Sequence, residues 1–251
     1  MSSWVDTHCH LQLDGRDPVE LMDRASSVAW MVVPGVDLES SVASIELATE
    51  HPDRLKPTAG LHPHDAELWP DQAEAIAALM PRAAAVGETG LDFYRNLAPR
   101  GAQIDAFRDH IDLAREHDLP LIVHCRDAFS DVYDLLADAA LGARAVLHCW
   151  TGGTRWTKRF DELGVTFSFA GPLAFETGET IRLGAEHADP RRCIVETDTP
   201  YLSPPPYRGE QNEPERVALV GAALADVWGC DVAEVAEATS RHAADIFGAP
   251  S

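Results

Sequence analysis

Leu121-Ile122-Val123-His124 is the stretch that decides the fold: an unbroken apolar run that ends in an imidazole. A strand that alternates apolar and polar residues keeps one face in water. A run with no polar position is buried on both faces, the environment of a parallel sheet covered by helices. Comparable runs recur at Trp4–His10, Trp30–Pro34, Leu55–Leu61, Ala83–Glu88, Ala145–His148, Val165–Phe169 and Cys193–Glu196. Between them lie stretches of helical period at Leu38–Glu50, Asp71–Met80, Gly101–His117, Phe129–Ala139 and Gly178–His187. Glu213–Trp228 and Val232–Phe247 add two further helices. Strands alternating with helices in this number predict an α/β fold, a TIM-like (β/α)8 barrel in a single domain over residues 1–251 with extra C-terminal helices. A doubly wound open sheet is the competing architecture, but the Gly-x-Gly-x-x-Gly turn of its dinucleotide-binding version is missing.

Composition agrees with one such barrel: 251 residues, 45% of them hydrophobic. No apolar run reaches the length of a membrane span, and the first residues lack a basic region followed by an apolar one, so a soluble, cytoplasmic protein is expected. Five cysteines, Cys9, Cys125, Cys149, Cys193 and Cys230, form no C-x-x-C pair and read as small buried thiols. Charge is lopsided: 41 acidic against 20 basic residues, a net of −21, with Lys56 and Lys158 the only lysines. An ordinary acidic enzyme with solvated helix faces is one account. Adaptation to high salt, where screening removes self-repulsion, is the favoured one. A general basic surface for gripping DNA is excluded.

Reactive groups of such barrels sit at the C-terminal ends of the strands and in the loops just after them. Those positions carry His8, His10, His62, His64, Glu88, His124, His148 and Asp198. In Val5-Asp6-Thr7-His8-Cys9-His10 an extended backbone puts both imidazoles on one face and Cys9 on the other. That pair is half a metal site, because neutral histidine nitrogen is the commonest ligand for zinc-like ions. A single histidine at a strand end is more often a core or surface residue; the concentration on one rim argues for a site. The set suits two divalent ions, about 3.5–4 Å apart, and a mixture of imidazole and carboxylate leaves Mg2+, Mn2+ and Zn2+ all open.

The shared ligand needs two oxygens and a negative charge. Glu88, in Val86-Gly87-Glu88-Thr89-Gly90-Leu91-Asp92, stands at a strand end among glycines and fits as the bridge. Lys56 opens a strand and Lys158 lies on a helix, so a carboxylated lysine is not expected at the rim. Asp198 can hold one ion and accept a proton from water whose pKa the ion lowers. A helix N-cap is the alternative, opposed by Pro200 and the Pro-rich loop after it. Glu196 is either an orienter of a histidine or a buried barrel carboxylate, outside the ligand set.

Six motifs together resemble the TatD family, a branch of the metal-dependent hydrolases of amidohydrolase type. They are Asp6-Thr7-His8-Cys9-His10, Gly60-Leu61-His62-Pro63-His64, the Val86–Asp92 stretch, Val123-His124-Cys125-Arg126, His148-Cys149-Trp150-Thr151-Gly152 and Glu196-Thr197-Asp198-Thr199-Pro200-Tyr201-Leu202. The resemblance implies a TIM-like barrel with a divalent metal centre, hydrolysing phosphodiester bonds, often as a deoxyribonuclease with 3′–5′ exonuclease action. Carried over by residue, His8, His10, Glu88 and Asp198 would hold one metal, and Glu88, His124 and His148 the other. His62 and His64 would contact the phosphate, with room for a further metal. Tyr94, Arg126 and Arg208 fall at matching substrate-side positions. Arginine suits bidentate phosphate binding, and a surface ion pair is the alternative for Arg126 and Arg208.

The chain departs from the family in two places. Tyr207-Arg208-Gly209 is followed by Glu210-Gln211-Asn212-Glu213-Pro214, where members usually carry Lys or Arg before Asn-Glu-Pro. Thr239-Ser240-Arg241-His242 has His where Asn is usual, which reads as a packing change. The expected partner is therefore DNA or a small phosphodiester. A metal-dependent hydrolase of a small phosphate ester, lactone or amide is the alternative, followed by a non-catalytic metal-binding barrel.

Overall fold

A computed structural model describes residues 3–250. Its strands are β1 (Trp4–Asp6), β2 (Val28–Val33), β3 (Leu55–Ala59), β4 (Ala85–Asp92), β5 (Leu121–Arg126), β6 (Ala145–Leu147), β7 (Thr166–Phe169) and β8 (Cys193–Val195). They pair in parallel, each with the next in sequence order, as the TIM-like barrel requires. The intervening helices are α1 (Pro18–Arg24), α2 (Leu38–Glu50), α3 (Trp69–Ala77), α4 (Arg100–Glu116), α5 (Phe129–Ala139), α6 (Thr154–Glu162) and α7 (Glu179–Ala185). Two more, α8 (Val217–Trp228) and α9 (Val232–Phe247), follow the last strand.

Side-chain alternation builds the interior in layers. Val5, Trp30, Val32, Ala85, Ile122, Val146 and Ile194 form one buried cluster, closed by Ala243 and Phe247 of α9. Their neighbours Met31, Val33, Leu121, Val123, Leu147, Cys193 and Val195 belong to the larger core, which also takes in helix residues such as Phe107, Leu136 and Leu224. Two residues above an inner apolar position comes the next inward one: His124 above Ile122, His148 above Val146 and Glu196 above Ile194. The same parity that fills the barrel thus carries the polar groups to its mouth.

Several boundaries differ from the sequence expectation. β4 continues past Glu88 to Asp92, because Gly87 and Gly90 interrupt the apolar pattern without ending the strand. Both glycines have positive φ, +125° and +132°, and a Cβ on Gly90 would lie 2.1 Å from the His124 carbonyl oxygen. β1 ends at Asp6, so His8 and His10 are not residues of a regular strand as the alternation argument supposed. α6 was expected only as a helix around Lys158, without bounds; it runs over Thr154–Glu162 and buries Thr157 and Phe160. α1 is new. Asp17 accepts from the Val19 N–H ahead of a proline at the first helical position, a start signal present in the sequence.

The barrel closes between β8 and β1 through individual bonds. Thr7 N–H donates to Val195 O at 3.2 Å, Asp198 N–H to His8 O at 2.9 Å and His10 N–H to Thr199 O at 2.8 Å. The Asp6 carboxylate crosses the same seam to Thr197. His242 on α9 contacts the Thr166 hydroxyl at 2.8 Å, a packing role under the barrel.

Candidate metal centre

Glu88 is the centre of the arrangement, and its two oxygens face different partners. Oε2 lies 3.3 Å from His8 Nε2 and 3.8 Å from His10 Nε2. Oε1 lies 3.0 Å from His124 Nδ1, 3.2 Å from His148 Nε2 and 3.4 Å from His62 Nε2. Asp198 Oδ1 completes the first side, 3.5 Å from His10 Nε2 and 3.8 Å from His8 Nε2. Asp198 has φ +58°, and its carbonyl accepts from Tyr201 N–H at 2.8 Å, so it belongs to a turn and caps no helix.

These donors fit divalent ions. Four ligand atoms at 2.0–2.1 Å from a common tetrahedral centre stand about 3.4 Å from one another. His8 Nε2 and His10 Nε2 are 3.2 Å apart, and with Asp198 they sit at that spacing. His62 Nε2, His124 Nδ1 and Glu88 Oε1 repeat it at 3.4, 3.4 and 3.0 Å. His8 Nδ1 and His10 Nδ1 are buried with no hydrogen-bond partner among the described residues, and both rings turn Nε2 inward. Within reach of a common point lie His8, His10 and Asp198 on one side and His62, Glu88 and His124 on the other. His62, read from sequence as a phosphate contact, is therefore at ligand distance, while His148 stacks on His8 with ring centroids 3.9 Å apart.

Behind these groups lies a shell that the sequence reading only partly found. Glu196 is an orienter of a histidine: Oε1 accepts from His148 Nδ1 and from Cys149 N–H, both at 2.9 Å, and Oε2 accepts from the Ser168 hydroxyl. That fixes the His148 tautomer and leaves Nε2 with its lone pair toward Glu88. Asp92 was quoted in a motif but given no role. Its Oδ2 lies 3.2 Å from His124 Nε2 and 2.9 Å from His64 Nε2, so it sets one ring and ties down the other. The signal was its parity with Glu88 on one strand. His110, on the buried face of α4, accepts from Leu61 N–H at 3.0 Å and donates from Nδ1 to Ala106 O at 2.6 Å. It thereby anchors the loop that carries His62.

Burial sets the electrostatics. It would raise the Glu88 carboxyl, but His148 and His62, with hydrogen bonds from His124 and His148, hold it well below the usual carboxylate range. Asp198 is likewise lowered, burial being outweighed by His10 and the charge of the neighbouring histidines. Burial lowers His62 to about 4. Burial lowers His8 too, but for His10, His124 and His148 the hydrogen bonds and charge of Asp198, Asp92, Glu88 and Glu196 outweigh burial and raise them, so a cation binding there must displace protons from these rings.

At the rim, neither Arg126 nor Arg208 has a carboxylate within 4.0 Å among the described residues, so neither forms the surface ion pair considered above. Arg126 lies over the Tyr94 ring at 4.1 Å. Arg208 lies over Phe175 at 3.7 Å and donates to Ser203 O at 3.1 Å. Glu210, which replaces an expected cation, is paired with Arg216 at 3.2 Å. Cys9, Cys125 and Cys193 are buried free thiols, Cys149 is half-buried and Cys230 is exposed. No helix among the described residues is long and apolar enough to cross a membrane.

Residues 5–248 match the family described as TatD related DNase. The chain is 32% identical over 252 residues to the uncharacterized metal-dependent hydrolase YabD of Bacillus subtilis, covering 96% of this chain and 98% of that one. It is 33% identical over 251 residues to the 3′-5′ ssDNA/RNA exonuclease TatD of a Rahnella species, with 92% of each covered. Among solved structures, the TatD homologue YJJV of Escherichia coli superposes with a TM-score of 0.89 at 25% identity over 98% of both chains.

Proposed function

The chain belongs to the TatD family of metal-dependent hydrolases, and from that premise we propose that it cleaves phosphodiester bonds of nucleic acid, as a 3′–5′ exonuclease using two divalent ions. The observation that carries this reading is the division of Glu88, one oxygen toward His8 and His10 and the other toward His124, His148 and His62. A carboxylate so placed would be shared between two ions, and an ion pair held in that way suits in-line displacement at phosphorus. His8, His10 and Asp198 would hold one ion; His124 with His148 or His62 would hold the other. Bound there, divalent ions polarise a phosphoryl oxygen and make water acidic enough to lose a proton near neutral pH.

The chain's own groups supply the rest. Asp198 keeps one oxygen toward His10 and accepts the proton of the attacking water on the other. Glu196 and Asp92 hold His148 and His124 in the tautomers that present a lone pair. Arg126, Arg208 and His64 stand at the rim to meet phosphate oxygens, a short-range grip that suits a chain of net charge −21. The test is the purified protein with Mg2+, Mn2+ or Zn2+ against single-stranded DNA, bis-p-nitrophenyl phosphate and p-nitrophenyl acetate. Stepwise shortening of DNA from its 3′ end is expected. Turnover of the acetate alone would replace this reading with a carboxylic-ester hydrolase.

A further inference from the structure

A chain of net charge −21 cannot draw in a polyanion from a distance, so its substrate must be held by contacts that do not depend on net charge. Stacking is such a contact. Two large aromatic side chains stand exposed beside the metal centre: Tyr201 at 58% and Tyr94 at 62%. The Tyr201 ring centroid is 6.2 Å from that of His10 at an interplanar angle of 67°, within a nucleotide's reach of the His8, His10 and Asp198 side.

The backbone under Tyr201 is held in place. Its N–H donates to Asp198 O at 2.8 Å, Thr199 O accepts from His10 N–H at 2.8 Å, and Pro200 O accepts from Asn212 N–H at 2.9 Å. The ring is therefore fixed at its root and open above. Tyr94 follows Asp92, which contacts His64 and His124, and one face of its ring carries the Arg126 guanidinium at 4.1 Å. That guanidinium has no carboxylate partner within 4.0 Å among the described residues, so the pair offers a flat cationic surface.

We infer that Tyr201 stacks on the terminal nucleobase of the strand being cleaved, with the Arg126–Tyr94 pair as the second stacking surface. The outer face of a strand's terminal base is free to lie on a tyrosine ring, and aromatic platforms of this kind hold nucleic-acid strands. The inference rests on the nuclease reading above and adds to it what the enzyme recognises.

The test compares single-stranded oligonucleotides whose 3′-terminal residue carries a base or is abasic, with wild type, Tyr201→Ala and Tyr201→Phe. Removing the base should lower wild-type kcat/KM by about 5- to 100-fold, the range for loss of one base–aromatic stack. Tyr201→Ala should lose a similar factor on the normal oligonucleotide, through KM, and nothing further on the abasic one. Tyr201→Phe should behave as wild type. A second readout needs no turnover: 2-aminopurine at the 3′ end of a phosphorothioate-protected strand should be quenched on binding wild type but not Tyr201→Ala. Equal cleavage of the two oligonucleotides by wild type would overturn the stacking inference and leave the nuclease reading standing. No cleavage of either would overturn both.

Discussion

Asp6 accepts both the backbone N–H of Thr197, at 2.9 Å, and its hydroxyl, at 2.5 Å, across the seam between the first and last strands. The same carboxyl group, which burial raises to about 8, receives His8 N–H at 3.3 Å, so one side chain fixes the approach to His8 and to Asp198 together. Asp6→Ala leaves those buried donors without a partner, at about 1–3 kcal/mol each. Urea unfolding should show a loss of roughly 3 kcal/mol or more, with weaker metal binding in parallel. Asp6→Asn keeps an acceptor oxygen and should lose less. Equal stability of Asp6→Ala and wild type would remove Asp6 from the seam.

Glu88→Gln keeps the shape but replaces the charged two-oxygen group proposed as the bridge with one carbonyl and an NH2. Metal content, measured by mass spectrometry on the dialysed protein, should fall below the roughly two ions per chain of binuclear hydrolases, and activity should fall with it. Full occupancy with full activity would exclude Glu88 as the bridge.

Glu196→Gln and Asp92→Asn test the orienting shell. Each replaces an acceptor that sets an imidazole with an amide that can also donate. A loss of about 10- to 100-fold in metal affinity or activity is expected for each, with little change in melting temperature. The tautomer argument fails if either variant titrates with metal as wild type does.

A pH effect follows from His110. Burial lowers it from its ordinary value to about 4, while the unfolded chain keeps the ordinary 6.5. Between those values the unfolded state binds the extra proton, so this group's contribution to stability is full above about pH 6.5 and falls away down to about pH 4, by roughly 3 kcal/mol. His110→Gln removes the titration. The difference in unfolding free energy between wild type and variant should therefore shrink as pH falls from 7 to 4.5; a constant difference would count against the neutral, buried His110.

The acidic surface makes the opposite demand on salt from that of an ordinary nuclease. At about 0.01 M the Debye length is roughly 30 Å and the surplus carboxylates repel across the whole molecule; at 1 M it is about 3 Å. Melting temperature and activity should both rise in concentrated KCl. Maxima of both below about 0.1 M salt would show that the charge is merely tolerated rather than an adaptation.

Much of the fold and of the rim was legible because one parity serves both. Ile122 and Val146 announce buried strands, and the residues two places on, His124 and His148, inherit the inward direction. The ligand positions of the first strand were found on a simplified argument: β1 stops at Asp6, and His8 and His10 converge through the turn that follows. What escaped depends on partners distant in sequence. Asp92 acquires its role only through His124, brought to it by strand pairing, and for Glu196 it is the contact with His148 that decides between the two readings the sequence left open. His110 looked like a polar interruption in an amphipathic helix, and only the path of the Leu61 loop shows what it accepts. Of α6 only a helix around Lys158 was legible; Thr157 and Phe160, the side chains it buries, set its packed face.

The seam has a consequence for the making of the protein. One side of the centre joins residues 8 and 10 to residue 198, and the Asp6–Thr197 bonds that align them span 191 positions. Synthesis proceeds at about 5–20 residues per second, so the amino-terminal histidines wait for many seconds beside a ribosome before their partner carboxylate emerges. During that interval the nascent chain presents an imidazole pair without Asp198, and the histidine–Glu88 half lacks the neighbour that closes the barrel around it. Catalytic competence is thus deferred until Asp198 has been made, and a polypeptide still threaded through the machinery that reads nucleic acid carries an incomplete hydrolase.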